Sequence, residues 1–521
     1  MGRKALKEGK IELLTAKLDF ASLVGETVLR FFLTKDLLFQ EEPARDKDRR
    51  PLPLGDLAAW VSLMEVNIAE KNKVVVQGKV EGKAVFYSTA GPKEVGWGAD
   101  EFSKEADVPG ALPGMTVNGH GRIFFLDDSR EPLEEEGKWL YQLQIGIEIL
   151  LTVSDPQQLE IGVGAKNILP EQVVRGVISA EELVGEKSVP LTLTSELDFP
   201  EQLDYIKTLS CSLADYSYEK EKEGLLFKGE LVTVIYFIAG KERGFQESRQ
   251  TFSQQIPFPL KKGAEVVFFP QVEYAAHDLL GKKARQRVYV DIYLRATRLV
   301  QQEVLTDIRE GEVKKEYLML PKPAGIAREP LELMQRLAFP FPREITAGPC
   351  RLIKLEADVQ ENRVVVSGIL EKTIYYIPAP EREQAGEEEE QWPLAIKMEE
   401  DFNRSLQLPG LEPGSSVIVY FSPGRTEFAA VEAATLQVTH AYLEAKAWET
   451  NEYSVVVPFR VPPETSLVIY AVHPGDTLLK IARLYGVKTS TIVRANNLSD
   501  EATPPAGSKL MIPLFYEGNN E

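Results

Sequence analysis

At 521 residues the chain is too long for one hydrophobic core, and its length suggests three or four domains. Its 44% apolar and 27% charged residues are ordinary globular composition, which excludes a disordered or fibrous chain. A net charge of −19 repels phosphate backbones and anionic lipid, so nucleic acid and membrane surfaces are poor partners.

The opening MGRKALKEGKIELL mixes basic and acidic side chains, and no apolar core of a signal peptide follows it. It lacks the Ser/Thr of a myristoylation signal, and no apolar run approaches the ~18 residues of a membrane helix. The expectation is a cytoplasmic protein without membrane insertion.

Self-similarity then organises the chain. LVGETVLRFFLTKDLLF (23–39) returns as LVGEKSVPLTLTSELDF (183–199). A second block occurs three times: NKVVVQGKVEGKAVF (72–86), EGLLFKGELVTVIYF (223–237) and NRVVVSGILEKTIYY (362–376). Each sets an apolar run before a glycine (Gly78, Gly229, Gly368) and an aromatic eight residues further on. A third block begins at Phe102, Phe252 and Phe402, an identical period of 150 residues, and ends at Gly114, Gly263 and Gly414. The third repeat shows no Leu-Val-Gly-Glu opener; REPLELMQRLAF occupies that region. It also carries an insert, PEREQAGEEEEQW, whose charge run reads as a solvated loop.

Within a repeat, β-branched and aromatic runs such as VVVQGKVEGKAVFY and YQLQIGIEILLTV predict strands, and the Pro-Gly segments predict turns. The glycine inside the second block marks either a bulge or a hairpin bend. The fold class expected is mainly β: three tandem β-rich sandwich repeats plus a small C-terminal βααβ domain. Boundaries fall at 1–160, 161–322 and 323–459, followed by a linker at 460–466 and the last module at 467–516.

Candidate chemistry is sparse. Cys211 and Cys350 each lie 18 residues before their repeat glycine, where the first repeat has Trp60. That register argues for two separate core thiols rather than a disulfide. His120, His277, His440 and His473 are scattered without a second ligand at metal spacing. IGVGAKN (161–167) reads as a turn, and no nucleophile elbow, Walker A sequence or zinc-protease helix occurs. Neither catalytic nor metal residues are assigned, no cofactor is implied, and the protein is expected not to be an enzyme.

The pattern changes from Leu467. LVIYAV predicts a strand and HPGDT a turn in which Asp476 or Thr477 caps the helix TLLKIARLYG. KTSTIVRANN predicts a second helix stopped by Asn496 and Asn497, and SKLMIP a second strand. This module closely resembles a LysM domain through Tyr470, Val472, Pro474 to Leu478, Ile481-Ala482, Tyr485 to Val487, Ala495 to Leu498 and Gly507, Leu510, Ile512-Pro513. The resemblance implies a shallow groove for N-acetylglucosamine-containing glycan, with Gly475, Asp476, Thr477 and Leu478 on one wall and Asn497 and Leu498 on the other. Leu479 stands where the family often has Trp, and Pro504-Pro505-Ala506-Gly507 replaces an apolar-x-Pro-Gly rim. The groove residues are open to three roles: turn and cap geometry alone, a protein contact, or sugar binding.

The triplicated blocks resemble SPOCS domains of spore-coat-associated proteins, and with the last module the architecture is similar to clostridial coat-morphogenesis proteins. That resemblance implies a non-enzymatic scaffold on the mother-cell side of the forespore surface. Its implied partners are the spore morphogenetic ATPase, docked through the C-terminal module, and other coat proteins. The alternative is a peptidoglycan-binding accessory protein of cell wall or spore cortex.

Overall fold

The computed structural model describes residues 12–513 except 46–50, 52–53, 129–131, 241, 310–312, 337–343, 378–393, 423–424, 429–434, 459–466, 474–475, 486, 488 and 499–503. The acidic insert and the 460–466 linker therefore lie outside the described residues.

The first repeat opens on β1 (Glu12–Phe39) and continues through a meander of β2 (Gly55–Glu70), β3 (Lys73–Ser88) and β4 (Gly91–Asp107). It returns through β5 (Thr116–Asp127), the short β6 (Leu133–Glu135) and β7 (Lys138–Lys166). The second runs β8 (Val173–Asp198), β9 (Leu203–Glu221), β10 (Gly224–Ala239), β11 (Glu242–Pro257), β12 (Glu265–Leu280) and β13 (Lys283–Ile308). The third runs β14 (Lys314–Arg336), β15 (Glu344–Gln360), β16 (Arg363–Ile377), β17 (Leu394–Gln407), β18 (Ser416–Ser422), β19 (Arg425–Phe428) and β20 (Thr435–Val457). The last module is β21 (Leu467–Ala471), α1 (Leu478–Tyr485), α2 (Thr489–Asn496) and β22 (Lys509–Pro513).

The chain is mainly β, as its composition and periodicity predict. In each repeat the three-stranded meander packs face to face on a second sheet made of the opening strand, the long late strand and the strand before it. One core spans both layers: Val74, Val76 and Phe86 of β3 meet Tyr141, Leu143 and Ile145 of β7. Strict alternation along β3, every second residue buried, gives the meander one apolar face to present. A single bridge, Ser22 to Glu182, joins the first two large sheets into one of seven strands.

The recurring blocks are the parts that touch. Gly78, Gly229 and Gly368 are the register partners of Phe102, Phe252 and Phe402. A Cβ on Gly368 would stand 2.5 Å from the Phe402 ring, so the glycine makes room for the aromatic that lies across it. The bulge expected there exists, on the preceding strand: register slips between Leu63 and Glu65 of β2, Ala214 and Ser217 of β9, and Leu352 and Lys354 of β15.

The opener is present in all three repeats. β1 shifts register between Leu23 and Gly25, and β13 opposite β8 shifts where Leu183 gives way to Gly185. The same shift falls between Pro323 and Gly325 in β14. Pro323-Ala324-Gly325 is thus the third opener, its glycine three residues before the stretch REPLELMQRLAF that occupies that region by sequence. Only the glycine was retained, because a Cβ on Gly325 would meet Leu408 of the third block at 2.9 Å, and one on Gly25 would meet the Pro109 carbonyl at 2.9 Å.

These bulges divide very long strands. Twenty-eight residues of β1 extend about 90 Å, far beyond the thickness of one sandwich. Past the bulge, β1 packs in its own repeat through Leu29, Phe31, Leu33 and Leu37. Before it, Leu18 and Phe20 join Ile178 and Ala180 of β8 and Leu318 and Leu320 of β14 in one shared core. Ile161, Val304 and Val455 fill it from the three late strands. Registered on the bulge glycines, these are equivalent positions, so three ribbons form a common apolar stalk around a pseudo-threefold axis. The strands consequently run through residues 160 and 322, and the repeats change over at 167–172 and 309–313. Sequence placed the junctions inside these ribbons because their inner halves continue the same β pattern.

Directly beside the stalk the axis becomes polar. Arg295 of the second repeat forms an ion pair with Glu26 of the first, both almost completely buried. Tyr420 of the third accepts from Arg295 Nη2 at 3.1 Å and donates to Glu26 Oε2 at 2.9 Å. Burial opposes the arginine charge, but Glu26 and Tyr420 outweigh it and hold the guanidinium pKa above its usual value. Glu181 of the second repeat binds Lys446 Nζ and, at 2.8 Å, Trp448 Nε1 of the third. The three repeats are one interlocked body rather than beads on a string.

Candidate functional site in the C-terminal module

In the last module β21 and β22 pair from Leu467–Pro513 to Ala471–Lys509, and the two helices cover one face of this ribbon. Val472, Leu478, Ile481, Ala482, Ile492, Val493, Leu510 and Ile512 form its core, which is why apolar residues recur at helical spacing in α1 and α2.

The turn before α1 is held by side chains. Asp476 Oδ2 accepts from the His473 amide and from Tyr470 Oη, both at 2.8 Å. Burial and then this carboxylate raise the Tyr470 pKa, so the phenol stays a donor. Thr477 is the helix cap, its Oγ1 accepting the Lys480 amide at 3.2 Å. Leu478 is 5% exposed and packs inside the core, a correction to its placing on the groove wall: as the first residue of α1 it faces the ribbon. Gly475 lies outside the described residues.

At the far end of α2, Asn497 takes φ 52° and is exposed, ending the helix as the sequence predicts, and Leu498 is half-buried. The Leu498 amide closes back on the Val493 carbonyl at 3.0 Å. Asn496 does more than stop a helix. Its Oδ1 accepts the Met511 amide at 2.7 Å and its Nδ2 donates to the Met511 carbonyl at 2.6 Å. The side chain thereby pairs with the edge of β22 like a neighbouring strand. The Pro504–Gly507 rim is tied to the first loop through Val472, whose carbonyl accepts the Gly507 amide and whose amide donates to Ser508, each at 2.8 Å.

Residues 470–513 match the LysM domain model. The module is a LysM domain. Its match covers this module and none of the repeats, and no curated protein and no solved structure matches the chain. A LysM domain points to peptidoglycan or related glycan as ligand. On this LysM framework Thr477 and Asn497 are exposed and Leu498 packs half-buried against the core, whereas Asp476 and Asn496 spend polar atoms on the fold itself.

The remaining candidate groups are taken up elsewhere. His120 stacks on Tyr293, with ring centres 4.2 Å apart, 3.7 Å from Asp291, and burial lowers its pKa to about 4. His277 is likewise lowered to about 4 by burial. Cys211 and Cys350 are free, and burial pushes both thiols up to about 12. Among the described residues no group of three or more His, Cys, Asp or Glu is placed to hold a metal ion. No helix among them is long and apolar enough to cross a membrane.

Proposed function

We propose that the protein is a non-enzymatic binding protein in which the LysM domain recognises and the three-repeat body is a rigid platform. The observation that carries this reading is the LysM match at 470–513 on a module whose first turn, α1 cap and α2 end are held by the side chains of Asp476, Thr477 and Asn496. Glycan containing N-acetylglucosamine is the ligand class a LysM domain points to. Thr477 and Asn497, at opposite ends of the helix pair, are the exposed polar groups we assign to it.

The finer setting we propose is endospore coat assembly in the mother-cell cytoplasm. There the LysM domain docks the spore morphogenetic ATPase and the repeats contact other coat proteins or further copies. Two observations support it: the triplicated blocks that resemble SPOCS domains, and their fusion into one body at equivalent positions. A fused body holds several weak sites at fixed spacing, which raises avidity without any single tight contact.

Sedimentation with purified peptidoglycan, beside a pull-down from sporulating cells, separates the two ligands. Co-sedimentation lost in Thr477→Ala/Asn497→Ala supports glycan binding. Recovery of the ATPase without co-sedimentation supports docking, and failure of both assays overturns the LysM domain as recognition module.

A further inference from the structure

Beyond the Glu26–Arg295–Tyr420 junction a cavity of about 420 Å³ opens between the second and third repeats, with Arg30, Arg122 and Glu148 of the first also in its lining. That volume falls in the range of small-molecule sites rather than packing defects. Three hydrogen bonds bridge the two repeats around it. The Phe245 amide donates to Glu344 at 3.1 Å, Tyr375 Oη donates to the Leu209 carbonyl at 2.9 Å, and Tyr216 Oη meets Ser422 Oγ at 2.8 Å. The two walls are thus held apart at fixed points.

One wall is the outer face of the second meander. Val232 and Val234 point there, because Leu231 lies in the core of their own sandwich and side chains alternate along β10. The other wall is the edge of the third sandwich, where β15 lies against β18 and β19. Ala347, Phe421 and Phe428 point into that sandwich, as register partners of the fully buried Ile374, Leu443 and Leu436, yet they are only half-buried themselves. Core-facing apolar side chains that keep exposure mark an edge the sandwich has not closed. On the same face as Phe428, Thr426 has its Oγ1 buried without a hydrogen-bond partner among the described residues. The charges of the lining are matched within the protein. Arg30 and Arg122 bind Glu148, and Arg249 pairs with Glu247 and Glu230. Glu427 accepts from Gln437, while Arg351 and Glu444 lie opposite Glu371 and Arg328 in their strand pairs.

We propose that this gap binds an uncharged two-ring aromatic molecule carrying a hydroxyl. Its rings lie between Val232 and Val234 on one side and the edge formed by Ala347, Phe421 and Phe428 on the other, and its hydroxyl donates to Thr426 Oγ1. Burial of apolar surface drives entry, and the phenylalanine rings take the ligand in offset or edge contacts. The donated hydrogen satisfies an acceptor that is otherwise costly to bury. An ionised ligand would lose its hydration without gaining a partner, since the charges of the wall are already matched. Arg249 and Glu247, about two-fifths exposed, stand at the solvent side of the gap. This site is independent of the LysM domain and of the ligand proposed for it.

Fluorescence and calorimetric titration of the full chain with 2-naphthol, naphthalene and 2-naphthoate test the proposal. Expected is saturable binding of 2-naphthol at one site per chain. Naphthalene, which lacks the hydroxyl, should bind about fivefold more weakly, and the ionised 2-naphthoate about tenfold more weakly or worse. Thr426→Val keeps the side-chain shape and should bring 2-naphthol down to the affinity of naphthalene. Ala347→Trp and Val232→Phe fill the gap from its two walls and should each remove saturable binding. Circular dichroism with a cooperative melt shows which variants fold. The proposal is overturned if 2-naphthol does not saturate, if 2-naphthoate binds as tightly, or if binding survives in both folded gap-filling variants. A preference for 2-naphthol over naphthalene that persists in Thr426→Val overturns it as well.

Discussion

Two stretches of one axis close the same threefold contact by different means. In the stalk, equivalent positions carry interchangeable apolar residues: Leu18, Ile178 and Leu318, or Ile161, Val304 and Val455. At the junction beside it they diverge. Register aligns Glu26 with Glu186 and Ile326, and Thr152 with Arg295 and Lys446. Apolar burial is non-directional, so the stalk holds three ribbons together without regard to which is which. An ion pair with one donor and one acceptor distinguishes its members. Only one neighbour can supply Arg295 to Glu26, so the junction carries the information about repeat order.

The sharpest way to break this contrast is Glu26→Ala. It strands the Arg295 charge in a site without solvent, and the expected loss is about 3–5 kcal/mol in denaturant unfolding. Glu26→Met with Arg295→Met and Tyr420→Phe should cost far less, because no charge is left unpaired. If the single change is as mild as the triple one, the junction is not the selective element.

A pH titration gives the next effect. His120 faces Tyr293, Asp291, Arg122 and Glu148. Its folded pKa, about 4, lies below the unfolded value near 6.5, so the unfolded chain takes up the proton first. Stability from this group is complete above pH 6.5 and is lost as pH falls to 4, up to about 3 kcal/mol. His277 acts in the same sense, and Asp128, raised to about 6 by burial, in the opposite one. Comparing the wild type with His120→Phe, which keeps the stack, cancels both. Expected is a wild-type stability that falls more steeply between pH 6.5 and 4; parallel curves would show that the ring does not titrate there.

The smallest effect belongs to the stalk. Ile161→Val removes one methylene from a fully buried site and should cost about 1 kcal/mol by the same denaturant measurement. Val304→Ala and Val455→Ala delete more and should resemble each other, since the positions are equivalent. Widely different costs for that pair would mean that the three ribbons are not interchangeable.

Much of the LysM domain was legible in the chain. Its second helix ends where Asn497 takes a positive φ, and its core residues recur at helical spacing, both of which are local properties. Leu478 was misplaced because a motif position does not say which way the first helical residue points. The strand pairs around Gly78, Gly229 and Gly368 were legible for the same reason, as turn and strand signals are short-range. The third opener was not. A bulge keeps only the glycine that the neighbouring turn demands, and one glycine is no pattern. Acidic residues at 181 and 182 in an apolar stretch were the available hint of a buried network, and they read equally well as a solvated edge.

By itself the sequence determined the β class, the threefold repetition, and the βααβ module with its caps, because each depends on side chains within a turn or on neighbouring strands. Tertiary structure alone decided that the opening strands leave their own sandwiches to build a shared stalk. It also decided that Glu26, Arg295 and Tyr420 meet across 394 residues of chain, and that Cys211 and Cys350, each packed against its own repeat's core as expected, also line one cavity between the repeats. The physical reason is common to all three. Strand pairing and capping are written in local spacing, whereas a buried charge or a cavity is defined by what arrives from elsewhere in the fold.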